Sequence, residues 1–368
     1  MKKNKIIALL SLLLIFTLIL PTACAPSEKA DDKAKDVKVS EAPAKEDDKK
    51  EEKSEEAKEK TAYADIESSA TNQWALKAIT IKGPTGMGLA PILKEEKEAG
   101  DIPKLTIDIT EQPTDVSQAI IEGQAYMAAM PSNMAAIANT KIEGGLKILA
   151  INTVGNIHLY GRDKEVKNLE ALKDKTIYLS GKGGTPEYVL REVLKQAGLD
   201  AEKDLKLEFK ATHAESVAAL EKDEAAVALL PQPFATVAVG KIENLDKIID
   251  LNEVWAEYHP NSAIITGVIA IRNDVLEIRE PSVKDFLERY KESIEKVNKN
   301  PADAAKLIEE FDILKADIAE KAIPESGIQY IDGKEMQEKL TAFYNVLHEQ
   351  NPETVGGEVP AEDIFYLP

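Results

Sequence analysis

The chain has 368 residues, of which 43% are hydrophobic, and it carries a formal net charge of -19. A chain of this length and apolar content can bury one large core or two medium ones, so two folded lobes are expected. The strong negative charge argues against a nucleic-acid-binding surface, because such a surface needs clustered Lys and Arg.

The N-terminus carries the pattern of an export signal. Lysines at positions 2, 3 and 5 precede an apolar run over residues 6–20, which is too short for a comfortable membrane span. The residues that follow, up to Cys24, resemble a bacterial lipoprotein signal, although Pro21 stands where such signals usually carry Leu. We therefore predict a signal peptide over residues 1–23 and lipidation of Cys24, the only cysteine. An uncleaved signal anchor is the alternative.

Residues 24–70 are predicted to form a charged, disordered tether. They consist mainly of Lys, Glu, Asp, Ala and Ser. Such a segment cannot bury enough apolar surface to offset the loss of chain entropy on folding. The tether would hold a folded body away from the membrane surface.

The first lobe is predicted to contain residues 71–160 and to be completed by residues 262–368. Strands are predicted over residues 78–82, 105–110, 126–130 and 146–151, the second of them from its apolar alternation, with amphipathic helices between them. Strands that alternate with helices along the chain are typical of a mainly parallel sheet with helices on both faces. Polar and glycine residues follow the strand ends, where ligands bind in open parallel sheets: Thr85, Gly86, Met87, Ser132, Asn133, Asn152 and Thr153.

The second lobe is predicted over residues 161–261 and repeats this plan. A strand over residues 176–179 runs into a glycine cluster, and Thr185 is expected to cap the following helix, with Pro186 as its first residue. Gly183, Gly184 and Thr185 could then present backbone N–H groups to a ligand. The spacing fits neither a nucleotide-binding P-loop nor GxGxxG.

Two further strands are predicted in the second lobe, over residues 205–210 and 226–230. The turn after the second of them contains Gln232 and Phe234. An apolar strand over residues 262–272 is expected to return the chain to the first lobe, where amphipathic helices follow. The apolar faces of these helices, one of which includes Tyr290, are predicted to pack in the core.

Four segments resemble one protein family, the substrate-binding proteins of bacterial ABC importers for nitrate, sulfonates, taurine and thiamine precursors. They are the glycine loop and Ala-Pro of residues 86–91, the helix end of residues 119–123, LKDKTIYLSG at residues 172–181 and AAVALLPQPFA at residues 225–235. Two residues depart from the family pattern: Tyr126 stands where Asp is usual, and Gln232 where many members have Glu.

The resemblance implies a two-lobed periplasmic-binding-protein-like fold, in which two crossing strands form the hinge and a small polar or anionic solute binds between the lobes. It also implies an ABC permease and its ATPase subunits as partners. We expect a monomer without metal or cofactor, lipid-anchored on the extracytoplasmic face of the cell membrane. Neutral Gln232 weighs against recognition of an amine.

Two other functions remain open on the sequence. The related pyrimidine- and menaquinone-pathway proteins are enzymes on the same fold, but here the four histidines form no metal-ligand pattern and no GxSxG elbow occurs. The other alternative is a lipoprotein with a sensing or scaffolding role. In that case, loss of the importer would leave the phenotype of this protein unchanged.

Overall fold

The computed structural model describes residues 75–100 and 103–368. The predicted signal peptide, Cys24 and the tether lie outside these residues. The described chain is of the α/β class, with two separate sheets. None of its helices is both long and apolar enough to cross a membrane.

The first sheet has six strands in the order β11-β4-β10-β3-β1-β2. Their bounds are β1 Leu76–Ile81, β2 Leu105–Thr110, β3 Met127–Pro131, β4 Leu146–Val154, β10 Ile265–Arg272 and β11 Ile328–Ile331. β1 pairs in parallel with β2 and β3, whereas β10 lies antiparallel between β3 and β4. β11 pairs antiparallel with the outer side of β4.

The second sheet has five strands in the order β7-β6-β8-β5-β9. Their bounds are β5 Ile157–Gly161, β6 Thr176–Ser180, β7 Lys206–Lys210, β8 Val227–Pro231 and β9 Asp246–Ile249. β6 is parallel to β7 and β8, and β5 is antiparallel to β8 and β9. The strands of this sheet begin at Ile157, slightly before the predicted start of the second lobe. The predicted lobe boundaries themselves stay predictions.

Both sheets are mixed rather than mainly parallel. The chain leaves the first sheet at the end of β4 and enters the second through residues 155 and 156, so β5 starts at the edge where its neighbour β8 ends. It returns through residues 259–264 to the edge where β3 and β4 end. A strand that enters a sheet at that edge must run opposite to its neighbours, which makes β5 and β10 antiparallel.

All eight strands predicted from the sequence form, with small shifts of their ends. The predicted return strand begins at Ile265 and lies wholly within the first sheet, so the residues before it make the crossing without strand structure. β5, β9 and β11, with four or five residues each, are not among the strands predicted from the sequence.

The described chain contains twelve α-helices, which cover the sheets. Their bounds are α1 Pro84–Met87, α2 Ala90–Ala99, α3 Pro113–Ile121, α4 Ser132–Asn139, α5 Thr185–Gln196, α6 His213–Lys222, α7 Phe234–Lys241, α8 Leu251–Tyr258, α9 Asn273–Lys299, α10 Pro301–Glu310, α11 Ala316–Ala322 and α12 Gly333–Gln350. α9 is kinked at Arg279, two residues before Pro281. Its predicted apolar face, which includes Tyr290, is buried as expected.

One hydrophobic cluster runs through both lobes. It joins residues of the first sheet, such as Ile148, to residues of the second, such as Leu179. Trp255 of α8 packs edge-on against Phe343 of α12, with ring centroids 5.6 Å apart. The two lobes are therefore packed against each other as well as joined by the two chain crossings.

Candidate functional site

The loops that follow the strands of the two sheets meet. The link of residues 155 and 156 joins the end of β4 directly to the start of β5. A methyl carbon added at Gly83, just after β1, would lie 4.0 Å from Cδ of Pro233, just after β8. The loops after β1 and β8 thus come close to each other between the two sheets.

Thr85, Asn152 and Thr153 form a connected group on the first lobe, and all three are buried. The Asn152 amide Nδ2 donates to the Thr85 carbonyl at 3.4 Å, and the Thr153 hydroxyl donates to Asn152 Oδ1 at 3.1 Å. Gly267 of β10 lies against this group, because a methyl carbon there would be only 2.4 Å from Asn152 Oδ1. Thr85 lies in α1, just after β1, and Asn152 and Thr153 lie near the end of β4, so segments about seventy residues apart supply the group together.

Tyr290 is a polar residue of this site that the sequence did not identify. Its ring is fully buried, and its hydroxyl lies beside the Asn152 side chain without reaching hydrogen-bond geometry to any protein atom. Burial raises the pKa of the phenol, so the hydroxyl stays protonated and able to donate. The apolar stripe of α9 predicted burial of Tyr290, but no sequence pattern marks where a buried hydroxyl points.

Other predicted residues of the first lobe have structural roles. The Ser132 hydroxyl donates to the Ile265 carbonyl at 2.5 Å, and the Ser132 carbonyl accepts the Tyr344 hydroxyl at 2.8 Å. Met87 is fully buried in a hydrophobic cluster of the first lobe. Gly86 is in close contact with the Ile81 carbonyl, since a methyl carbon there would approach it to 2.6 Å. Asn133 is half-buried at the start of α4.

The glycine loop of the second lobe already holds a carboxylate. The N–H of Gly183 donates to Oε2 of Glu187 at 2.7 Å, and Oε1 of Glu187 accepts from Arg191 at 2.7 Å. Gly184, rather than Thr185, is the N-cap of α5, and no side chain caps it. Thr185 becomes the first helical residue because Glu187, buried in the first turn of the helix, reaches back to the loop. An anion at this helix end would compete with Glu187.

Gln232 faces its own lobe. Its side-chain oxygen accepts from the Thr236 hydroxyl at 2.7 Å and from the Thr236 N–H at 3.2 Å. Its amide contacts the Tyr160 hydroxyl, and its backbone N–H donates to the Asn156 carbonyl at 3.1 Å. The backbone N–H of Gln232 therefore connects the turn after β8 to the link between the sheets, and its neutral side-chain amide connects the turn to α7 and β5.

Phe234 lies beside a histidine that sequence spacing did not identify. The His213 ring, at the start of α6, is 4.9 Å from the Phe234 ring, and its Nδ1 is 2.6 Å from the Ser180 hydroxyl. Burial lowers the pKa of His213 to about 4, so the imidazole is neutral near pH 7. The ends of β6, β7 and β8 thus bring Ser180, neutral His213 and Phe234 together.

The side chains at the strand ends are not arranged as a metal site. In residues 75–100 and 103–368, no group of three or more His, Cys, Asp or Glu side chains is close enough to bind a metal ion. Lys82, the cation directly after β1, is already paired with Asp312 at 2.9 Å and with Glu111 at 3.3 Å. The chemistry available at the strand ends is therefore hydrogen bonding by amides and hydroxyls, with an aromatic face.

Solved structures share this fold. An ABC transporter protein from Parabacteroides distasonis is 20% identical, with 80% of this chain and 99% of that chain covered and a TM-score of 0.66. The periplasmic aliphatic sulphonate binding protein SsuA from Escherichia coli is 13% identical, with 79% and 91% covered and a TM-score of 0.64. The nitrate-binding protein NrtA from Synechocystis PCC 6803 is 14% identical, with 79% and 87% covered and a TM-score of 0.53. At such identities the likeness shows the two-lobed fold alone.

Comparison of the sequence with family models gives evidence independent of the fold. No curated protein matches the chain. The sequence model of the family described as NMT1/THI5 like matches residues 103–304, which is more than half of the chain and includes the ends of β3 and β4, the glycine loop and the turn after β8. The chain belongs to the NMT1/THI5-like family.

Proposed function

We propose that this chain is the substrate-binding component of an ABC importer, anchored through lipidated Cys24 on the extracytoplasmic face of the membrane. It captures a small polar or anionic solute between its lobes and passes it to a permease that is driven by ATPase subunits. The chain performs no chemistry and acts as a monomer. The names of the sulphonate- and nitrate-binding structures support this class of function.

The observation that carries the proposal is the meeting of two sets of strand ends around buried polar groups. Asn152 and the unpartnered Tyr290 hydroxyl belong to the first lobe, and Phe234 and neutral His213 belong to the second. A buried hydroxyl without a partner destabilises a protein by about 1–3 kcal/mol, so a solute that supplies an acceptor would recover that energy. A solute oxygen placed between the lobes would accept from it.

Binding is expected to favour the closed arrangement of the lobes. Only when the lobes are together does a solute touch both walls, so its affinity for the closed state exceeds that for an open state. Rotation about residues 155–156 and 259–264 would separate the walls without breaking either sheet.

Calorimetry with a solute panel tests the proposal. The panel contains ethanesulfonate, taurine, nitrate and a thiamine pyrimidine precursor, and native mass spectrometry of the purified full chain searches for a co-purified solute. We expect at least one saturable ligand, accompanied by compaction in solution scattering. Absence of both binding and compaction would count against the function, as would a catalytic turnover of the bound molecule.

Two variants connect that binding to the site. Asn152→Ala is expected to weaken binding by about 10- to 100-fold, which corresponds to about 1–3 kcal/mol. Tyr290→Phe is expected to weaken binding but to leave the unliganded protein equally or more stable, because it removes an unpartnered group. Asn298→Ala is the matched control, since Asn298 donates to the Ile328 carbonyl elsewhere in the first lobe. Equal losses in all three variants would place the solute elsewhere.

Membrane anchoring is tested separately. Replacement of the thiol in Cys24→Ser leaves nothing to acylate, so the protein should move from the membrane fraction to the soluble fraction and lose label from radioactive palmitate. Thr22→Ser is the control. Unchanged membrane association of Cys24→Ser would instead indicate an uncleaved signal anchor.

A further inference from the structure

A cavity lies where the chain crosses between the lobes; it is called the hinge cavity below. It has a volume of about 310 Å³. Both crossings line it, through Gly155 and Ser262, as do Asp250 and Trp255 from the second lobe and Glu325 and Gln329 from the first. None of the residues predicted at the strand ends belongs to this lining. The cavity shares Val154 and Gly155, at the end of β4 and in the link, with the region described above, but none of its polar side chains.

Two buried donors in this lining have no hydrogen-bond partner. They are the indole Nε1 of Trp255, a residue that is only 1% exposed, and the hydroxyl of Ser262. The Trp255 ring is held in place by its contacts with His259 and Phe343. An unsatisfied buried donor destabilises the fold by about 1–3 kcal/mol, so an acceptor oxygen that enters the cavity would be stabilised there.

The charged groups of the cavity leave an excess of negative charge. Lys247, which lies outside the lining, is shared between Asp250 at 2.8 Å and Glu325 at 2.9 Å. His158 is buried, accepts the Leu251 N–H at Nδ1, and has its pKa lowered by burial, so it adds no positive charge near pH 7. Asp250 Oδ1 also accepts the Asn252 N–H at 2.9 Å and lies 3.2 Å from His158 Nδ1, whereas Glu325, among the residues that the structure describes, pairs with Lys247 alone. Two carboxylates against one lysine, with Glu325 the less satisfied of the two, favour a cation in the cavity over an anion.

We propose that this hinge cavity binds a small amine that also carries a hydroxyl or carbonyl oxygen. The oxygen accepts from Trp255 and Ser262, and the ammonium group lies beside Asp250 and Glu325. A liquid-like water occupies about 30 Å³, so the cavity has room for a molecule of several non-hydrogen atoms. Because the lining includes both crossings and both lobes, such a ligand would also favour one arrangement of the lobes over another.

Ethanolamine is the probe, and Trp255 itself reports its binding. The chain has two tryptophans, so Trp74→Phe in the full chain leaves Trp255 as the sole indole. We expect a saturable change in its fluorescence with ethanolamine. Ethylene glycol, which lacks the amine, and glycolate, which is an anion, should bind at least tenfold more weakly. A response that never saturates, or equal affinity for all three probes, would overturn the proposal.

Variants in the same Trp74→Phe background locate the probe. Ser262→Ala and Glu325→Gln should each weaken ethanolamine binding at least tenfold, and the half-exposed position of Glu325 makes its replacement compatible with folding. Ser117→Ala is the matched control, because its hydroxyl is also buried and unpartnered but belongs to α3. If ethanolamine binds both lining variants as tightly as this control, the cavity is not the site.

A further variant separates this proposal from the proposed function. Asn152→Ala should weaken solute capture between the strand ends and leave the ethanolamine response unchanged. Loss of the ethanolamine response in Asn152→Ala would mean that the probe occupies the strand-end site, and the hinge-cavity proposal would then fail while the transport proposal stands.

Discussion

Single side chains decide what the glycine loop after β6 can bind. The sequence suggested free N–H groups at Gly183 and Gly184, yet Glu187 accepts the Gly183 N–H and pairs with Arg191. The negative charge of the Glu187 carboxylate also interacts favourably with the positive, N-terminal end of the α5 dipole. The loop is therefore fixed in shape by a protein group, and its capacity for an external anion is reduced.

Glu187→Gln should destabilise the fold. The neutral amide keeps the shape of the side chain but loses a charge-assisted hydrogen bond to the loop, for an expected loss of about 1–3 kcal/mol in the free energy of unfolding. Urea denaturation measures it, and faster hydrogen exchange at Gly183 locates it. Glu202→Gln is the control, because exposed Glu202 also pairs with Arg191, at 2.8 Å, and should change stability by less than about 0.5 kcal/mol. Equal losses of stability in Glu187→Gln and Glu202→Gln would contradict the role of Glu187 in fixing the loop.

His213 should make the protein less stable in acid. Its folded pKa of about 4 lies below the ordinary value of 6.5. Above pH 6.5 it is neutral in both states; as the pH falls from 6.5 to 4 the unfolded chain binds the proton first, so stability falls. The expected loss is on the order of 2–3 kcal/mol. Chemical denaturation across this range measures it.

His213→Gln should remove this part of the acid dependence. Ser180→Ala should retain it, because burial rather than the hydrogen bond to Ser180 lowers the pKa. Identical pH profiles for the wild type and His213→Gln would show that His213 protonates equally in both states.

At the scale of elements, β10 determines the shape of the first-lobe site. It inserts antiparallel between β3 and β4 and places Gly267 against the side chains of Asn152 and Thr153. Its apolar pattern predicted a buried strand. The pattern carries no information on direction or neighbours, because a strand buried on both faces is apolar throughout.

Gly267→Ala should disturb the site through this strand. The added methyl carbon would lie 2.4 Å from Asn152 Oδ1 and 2.9 Å from Thr153 Oγ1, so both side chains must move. We expect a loss of about 1–3 kcal/mol in stability, measured by denaturation, together with weaker solute binding. Gly240→Ala on α7 has no atom within 4 Å of the new methyl and should be neutral or slightly stabilising. If Gly267→Ala changes neither stability nor solute binding, the close approach of Gly267 to Asn152 and Thr153 would be contradicted.

At the scale of the whole molecule, polar contacts join the lobes beside their shared hydrophobic cluster. Gln350 at the end of α12 donates to the Tyr188 carbonyl of α5, and Asn351 donates to the Tyr188 hydroxyl, each at 2.9 Å. Lys247 and Glu325 pair across the hinge. These contacts form only when the lobes are together, so they contribute to the balance between open and closed states.

Asn351→Ala should shift this balance toward the open state. The variant loses two hydrogen bonds, but the one from the Glu353 N–H lies within the first lobe, so only the bond to the Tyr188 hydroxyl differs between open and closed states. Its loss, about 0.5–1.5 kcal/mol, changes the closed-to-open ratio by roughly 2- to 13-fold. Solution scattering of the unliganded full chain should show a larger radius of gyration, and solute should dissociate faster. Asn298→Ala, whose bond lies within one lobe, should leave both unchanged. If the two variants behave alike, the contact to Tyr188 does not control closure.

The sequence by itself determined the α/β class, eight strands, the apolar face of α9 and the family resemblance. These follow from local periodicity and from contiguous segments, which one stretch of chain contains in full. It also identified Asn152 and Phe234 as strand-end residues, because the end of a strand is a local feature.

Only the tertiary structure decided which polar groups are already used and which remain free. The side chains of Glu187, Gln232 and Ser132 form their hydrogen bonds within the protein. Tyr290 and Trp255, by contrast, keep donors without partners. Hydrogen-bond satisfaction depends on atoms brought together from distant parts of the chain, and the direction of β5 and β10 depends on the edge at which the chain enters each sheet. Neither property has a local signature in the sequence.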